Sequence, residues 1–121
     1  GVLSTKGTYA TGLYQDALAK AGFSAVFPDS DGRDRVQEAI SNSQYGIKAQ
    51  SNPVSPEARN ILSDEAKKLV EQGAEGIILG CTEIPLALTE KRLHGVPLID
   101  ATNILARALI LAFAPEKLKR S

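Results

Sequence analysis

A single cysteine in 121 residues excludes an internal disulfide, so nothing in the sequence asks for an oxidising compartment. The lone histidine beside it leaves too few ligands for a zinc site, and no metal-ligand spacing occurs elsewhere. Aromatic residues make up only 5%, and 14 Lys plus Arg balance 14 Asp plus Glu to a formal net charge of zero. Without a basic run, the electrostatic footprint of a nucleic-acid binder is missing. No apolar stretch reaches the roughly 18 residues of a membrane span, and no charged and apolar leader stands at the start. The expected setting is cytoplasmic, with neither nucleic acid nor membrane as a partner. Internal repeats and low-complexity tracts are also absent. What remains is one domain's worth of chain, large enough to bury a core without disulfide or metal.

The stretch that organises this chain is Gly76-Ile77-Ile78-Leu79-Gly80-Cys81-Thr82-Glu83-Ile84-Pro85. An apolar, β-branched run ended by glycine and followed by small polar residues and proline reads as a buried strand turning into a helix. Cys81 then stands at the carboxyl end of a strand, where ligands bind in open α/β sheets. A helix start nearby would favour thiolate over thiol. The bland alternative is a small buried hydrophobe, but Gly80 and the polar Thr82-Glu83 are not what a core position needs.

Around this stretch the chain alternates. Residues 1–4 read as a strand already under way, which points to a piece of a longer protein. Thr5-Lys6-Gly7-Thr8 follows as a polar glycine turn, a natural anion cradle that lacks the second glycine and Lys-Ser/Thr pair of a P-loop. Tyr14, Ala17, Leu18 and Ala21 fall at helical spacing, with Gly22 just past the end. Residues 24–27 read as a second strand, and Asp31 as the N-cap of a helix whose face is Val36, Ala39 and Ile40. Residues 41–56 have loop composition and are the expected place for a mobile lid. Lys48 lies inside this loop and, taken alone, is a solvated charge.

The next helix is the clearest. Ser55 caps it, Pro56 suits its first position, Glu57 meets the dipole and Gly73 ends it. Ala58, Ile61, Leu62, Ala66, Leu69 and Val70 form its buried stripe, while Asp64, Glu65, Lys67, Lys68 and Glu71 are expected in water. After Cys81 a helix is expected over residues 85–93, then a His94-Gly95 turn and a strand through Val96-Pro97-Leu98-Ile99 to Asp100. As the only histidine, His94 could act as a base, yet its turn is distant in sequence from Cys81. Residues 104–114 carry one charge, Arg107, so a helix there is apolar nearly all round and needs a cover. Self-association into a homo-oligomer through it is the expectation.

In this order the motifs resemble a known family. Gly80-Cys81-Thr82-Glu83-Ile84-Pro85, preceded by Gly73-Ala74-Glu75-Gly76-Ile77-Ile78-Leu79 and followed by Val96-Pro97-Leu98-Ile99-Asp100-Ala101-Thr102, is similar to the C-terminal half of the aspartate/glutamate racemases. Leu3-Ser4-Thr5-Lys6-Gly7-Thr8, with Gly12-Leu13-Tyr14 behind it, resembles the start of that half. The fold this implies is α/β, a parallel-stranded sheet with flanking helices in a Rossmann-like racemase domain. Residues 1–95 would form that domain, and 96–121 a strand and apolar helix returning to an absent first domain.

The resemblance further implies a cofactor-independent racemase working with two cysteines, one from each of two domains. One thiolate removes the Cα proton and the opposite thiol returns a proton to the other face. Cys81 matches the second cysteine, Thr82 and Thr8 match substrate contacts, and Thr5, Gly7 and Glu83 shape the site. Lys48, in Ile47-Lys48-Ala49, resembles the lysine that holds the side-chain carboxylate. A glycine of the usual pattern is replaced after it by Gln50-Ser51-Asn52-Pro53. Glutamate at position 83, where glutamate racemase-like members usually carry histidine, points to aspartate or a related acidic amino acid. No second cysteine exists, so the chain alone is expected to be inactive. A hydantoin racemase or maleate isomerase type of enzyme would share the cysteine turn but differ at Lys48 and Thr8. A non-catalytic dicarboxylate-binding module would keep Cys81 idle.

Overall fold

The computed structural model describes residues 1–101. Three parallel strands and one short antiparallel strand form a single sheet: β1 (Val2–Leu3), β2 (Ile77–Leu79), β3 (Arg92–Leu93) and β4 (Val96–Asp100), in the order β1-β2-β4-β3. Five helices complete the described chain: α1 (Lys6–Thr11), α2 (Leu13–Lys20), α3 (Ser30–Ser41), α4 (Pro56–Glu71) and α5 (Ile84–Ala87). The mixed α/β class and the helix-flanked, mostly parallel sheet agree with the sequence reading.

The residues of β1 and β2 are buried on both faces, which is why their sequences are apolar without alternation. Leu3, Ile77 and Leu79 point to one face, where Val36, Ala39 and Ile40 of α3 and Ala58, Leu62, Ala66 and Leu69 of α4 close over them. Each large aliphatic side chain buried here contributes roughly 1.5–3 kcal/mol. Val2 and Ile78 point the other way, against Tyr14 of α2 and Ala101. Beyond them this second face opens into an apolar trough of about 790 Å³, lined by Leu18, Val26, Ile78, Pro97 and Ile99 among others.

Local chemistry sets the helix ends. Ser55 Oγ accepts from the Ala58 N–H at 3.1 Å, and Pro56 takes the first turn of α4. Gly73, at φ 104°, supplies the left-handed residue beyond the C-cap Gln72. On α3 the cap is Asp29, whose carboxylate accepts from Gly32 N–H at 2.7 Å. Asp31, expected as the cap, lies one residue inside the helix.

Other expectations also change. Residues 24–27 join the sheet only through the Val2 N–H to Val26 carbonyl bond of 3.0 Å and form no strand. Helix α5 is four residues, not nine, because the chain leaves it at Leu88 (φ −109°, ψ 89°) to enter the β3–β4 hairpin. His94 (φ 52°) and Gly95 (φ 84°) make the turn of that hairpin. Residues 96–100, assigned from the sequence to a separate unit, pair with β2 in parallel register, Leu79 beside Asp100. Glu65, expected in water, is 1% exposed beneath Arg35 (3.1 Å) and Lys68 (3.0 Å). Gly32 makes room for its carboxylate, since a Cβ there would collide with it. The apolar stretch 104–114, and the docking and self-association expected of it, lie outside the described residues.

Candidate functional site

The carboxyl ends of β1, β2 and β4 meet at one sheet edge, and each carries polar chemistry. The register sets Leu3 beside Leu79, and Leu79 beside Asp100. Gly80 is where β2 and β1 come closest: its N–H bonds the Leu3 carbonyl at 2.6 Å. A Cβ at Gly80 would sit 2.9 Å from that oxygen and 3.0 Å from Tyr14 Cε2. Only glycine fits there, and the chain then turns to present Cys81.

Cys81 is half-buried. Its thiol donates to Glu83 Oε2 at 2.8 Å, and the Thr82 hydroxyl donates to the same oxygen at 2.9 Å. The ammonium of Lys48 lies 4.0 Å from Glu83 Oε1. Glu83 occupies the N-cap position of α5 but makes no side-chain capping bond, its backbone already being helical (φ −83°, ψ −31°). Its carboxylate is turned to the thiol instead.

This geometry decides the protonation state. Burial, and then the bond to Glu83, push the Cys81 thiol above its ordinary value, more strongly than nearby backbone N–H groups pull it down. The bonds from Cys81 and Thr82 hold the Glu83 carboxyl below the usual range. The free protein therefore presents a thiol against a carboxylate. A turn favouring thiolate was the sequence expectation; a one-turn helix beside an acidic residue does not supply the needed positive field.

The turn after β1 also differs from expectation. Instead of an open cradle, Thr5 caps α1, accepting the Thr8 N–H at 3.1 Å and donating to the Thr8 hydroxyl at 3.0 Å. The Lys6 N–H is bonded to Gln37 Oε1 at 2.9 Å. Two of the expected anion-binding N–H groups are thus already engaged, and Thr8 offers its hydroxyl instead. Gly7 has open space above it: a Cβ there would meet nothing within 4 Å.

Lys48 reaches the site from a loop that is tied down. The Ile47 and Lys48 N–H groups bond the Ala39 and Ile40 carbonyls at 2.9 and 3.0 Å, and Ser55 Oγ donates to the Tyr45 carbonyl at 2.6 Å. Ile47 is fully buried, while the Lys48 side chain is 58% exposed. The expected lid is pinned in its backbone at this point.

Cys81, Thr82, Glu83 and Lys48 are therefore joined by direct contacts, and Thr5, Gly7 and Thr8 stand on the neighbouring turn of the same edge. Two further groups escaped the sequence reading. Tyr14 is 5% exposed, and its phenol is shifted upward by burial, then by the charge Cys81 carries once ionised at alkaline pH and by that of Asp100. Asp100 ends β4, a placement the strand-end rule could have flagged. His94 is elsewhere: exposed, its Nε2 is 3.0 Å from the Ser63 carbonyl. No helix among the described residues is long and apolar enough to cross a membrane.

Comparison with known proteins follows the same lines. The model of the Asp/Glu/hydantoin racemase family matches residues 1–109. An uncharacterized protein in the pnlA 3' region of Pectobacterium carotovorum subsp. carotovorum is 33% identical over 111 residues, covering 91% of this chain and 69% of that one. The glutamate racemase of Deinococcus radiodurans is 34% identical over 85 residues, 70% of this chain and 27% of the enzyme. Among solved structures, a candidate Asp/Glu racemase from Yersinia pestis superposes with a TM-score of 0.70 at 33% identity, over 89% of this chain. The chain spans 45% of that structure's length. By the extent of the family match, the chain belongs to the Asp/Glu/hydantoin racemase family.

Proposed function

We propose that this chain supplies one of the two acid/base groups of a cofactor-independent amino-acid racemase, with Cys81 as that group and aspartate or a related acidic amino acid as substrate. The carrying observation is the Cys81 thiol at the sheet's ligand-binding edge, 2.8 Å from Glu83 Oε2. Racemisation at Cα needs a base on one face of the carbon, an acid on the other and donors for the charge developing on the carboxylate. A thiol held protonated by Glu83 suits the acid. The Thr82 and Thr8 hydroxyls are the donors, and Lys48 takes the distal carboxylate. The opposing thiolate comes from a second α/β domain, because this sequence holds one cysteine; the chain alone is inactive.

The test is solvent exchange. In the protein carrying both domains, the Cα hydrogen of aspartate should exchange with deuterium from solvent, and failure to exchange it removes aspartate racemisation. A panel including hydantoins and maleate separates the related reactions of the same superfamily. One observation favours a second reading, a dicarboxylate-binding module with an idle cysteine: the thiol is shifted upward rather than activated. Binding of aspartate to the two-domain protein with no exchange of its Cα hydrogen would support it.

A further inference from the structure

The contact between Lys48 and Glu83 has no place in a scheme where the lysine only holds a substrate and the glutamate only shapes the turn. Glu83 is the junction. One carboxylate oxygen receives Cys81 and Thr82, at 2.8 and 2.9 Å, while the other faces Lys48 at 4.0 Å. Lys48 is anchored by its backbone to the end of α3, yet its side chain is 58% exposed. Its ammonium can swing to a new partner without moving the loop.

We propose that Lys48 is shared between Glu83 and the distal carboxylate of the bound acid, so that binding a dicarboxylate resets the proton balance of Cys81 through Glu83. This rests on the substrate-binding role proposed for Lys48 above. With the site empty, the Lys48 cation partly neutralises Glu83 and weakens it as a proton acceptor. A dicarboxylate draws that cation away and adds negative charge, so Glu83 holds the thiol proton more firmly. In the direction in which Cys81 is the acid, it then stays S–H until the Cα carbanion takes that proton; in the reverse direction the Cys81 thiolate accepts the Cα proton, and Glu83 sets the balance between the two forms. Among the described residues, the other titratable groups linked electrostatically to this cluster are Asp100 at the end of β4 and Tyr14 on α2.

The test needs no catalysis. The alkylation rate of Cys81 by neutral iodoacetamide, followed against pH in the 121-residue chain, gives a midpoint for the thiol. Succinate, a dicarboxylate with no amino group, should move that midpoint upward while leaving the high-pH plateau in place. Lys48→Met should raise the midpoint without ligand and abolish the response to succinate. Glu83→Gln should lower it, each unit giving about tenfold faster alkylation near neutral pH, and should also abolish the response. Circular dichroism of each variant checks that the fold is kept. A succinate effect confined to the plateau, which is shielding, would overturn the proposal. So would a Lys48→Met variant with an unchanged midpoint and response. If the midpoint responds as expected but the two-domain protein fails to exchange the Cα hydrogen, the racemase reading falls and the coupling stands.

Discussion

Two strand-to-helix turns lie side by side at the same sheet edge and are built to opposite ends. After β1, Thr5 caps α1 and ties up the Thr8 N–H, so the turn is internally satisfied. After β2, Glu83 stands at the cap position of α5 and caps nothing; its carboxylate meets the Cys81 thiol. The first turn contributes stability to its helix. The second forgoes that contribution and holds a titratable pair instead. A local rule broken where its neighbour obeys it is the mark expected of a functional site.

Substitutions at the two turns test this contrast, and the greatest change should be in chemistry. Cys81→Ala in the two-domain protein should slow racemisation by roughly 10²–10⁴-fold, read by the loss of optical rotation of D- or L-aspartate. Next comes the pivot between the turns. Gly80→Ala forces a Cβ to within 2.9 Å of the Leu3 carbonyl oxygen, and should cost about 1–3 kcal/mol in urea unfolding. Thr5→Ala should cost about 1 kcal/mol as a lost cap, whereas Glu83→Gln should change stability by at most about 0.5 kcal/mol. Equal losses at the two positions would erase the distinction.

Changes in pH dependence should be the weakest. Arg59 holds Glu90 through paired contacts of 3.0 and 2.5 Å, pulling its carboxyl down to about 2. A depressed folded pKa means that this stability is present above the ordinary carboxyl range and is lost as pH falls from there towards 2. Because both side chains are partly in water, solvent screening limits the effect to about 1 kcal/mol or less, read as a smaller acid-induced loss in Glu90→Gln. Cys81 acts in the opposite direction. Burial raises the folded thiol, so stability should decline once pH passes the ordinary thiol value, and Cys81→Ala should flatten that alkaline limb.

Much of this was written locally. The β-branched runs marked β1, β2 and β4, and Ser55, Pro56 and Gly73 bounded α4 closely, because caps and strand runs depend on a few neighbouring residues. Cys81 and Glu83 could be singled out for the same reason. What was hidden depends on partners far along the chain. Glu65 looks solvated until Arg35, 30 residues away, and Gly32 are brought against it. The length of α5 is set by the hairpin that follows. The upward shift of the thiol comes from burial by the whole sheet edge, which no helix-start rule anticipates. Tyr14 reads as one more apolar helix position until the fold sets its ring against Gly80.

If Cys81 exchanges a proton with one face of Cα, the two enantiomers of the substrate must depend on it differently. Deuterium incorporation at Cα of L- and D-aspartate, followed separately in the two-domain protein with Cys81→Ala, reads this dependence. Exchange should be lost for one enantiomer and retained for the other, whose proton is removed by the opposite cysteine. Exchange of both enantiomers at the unaltered rate would refute the role of Cys81.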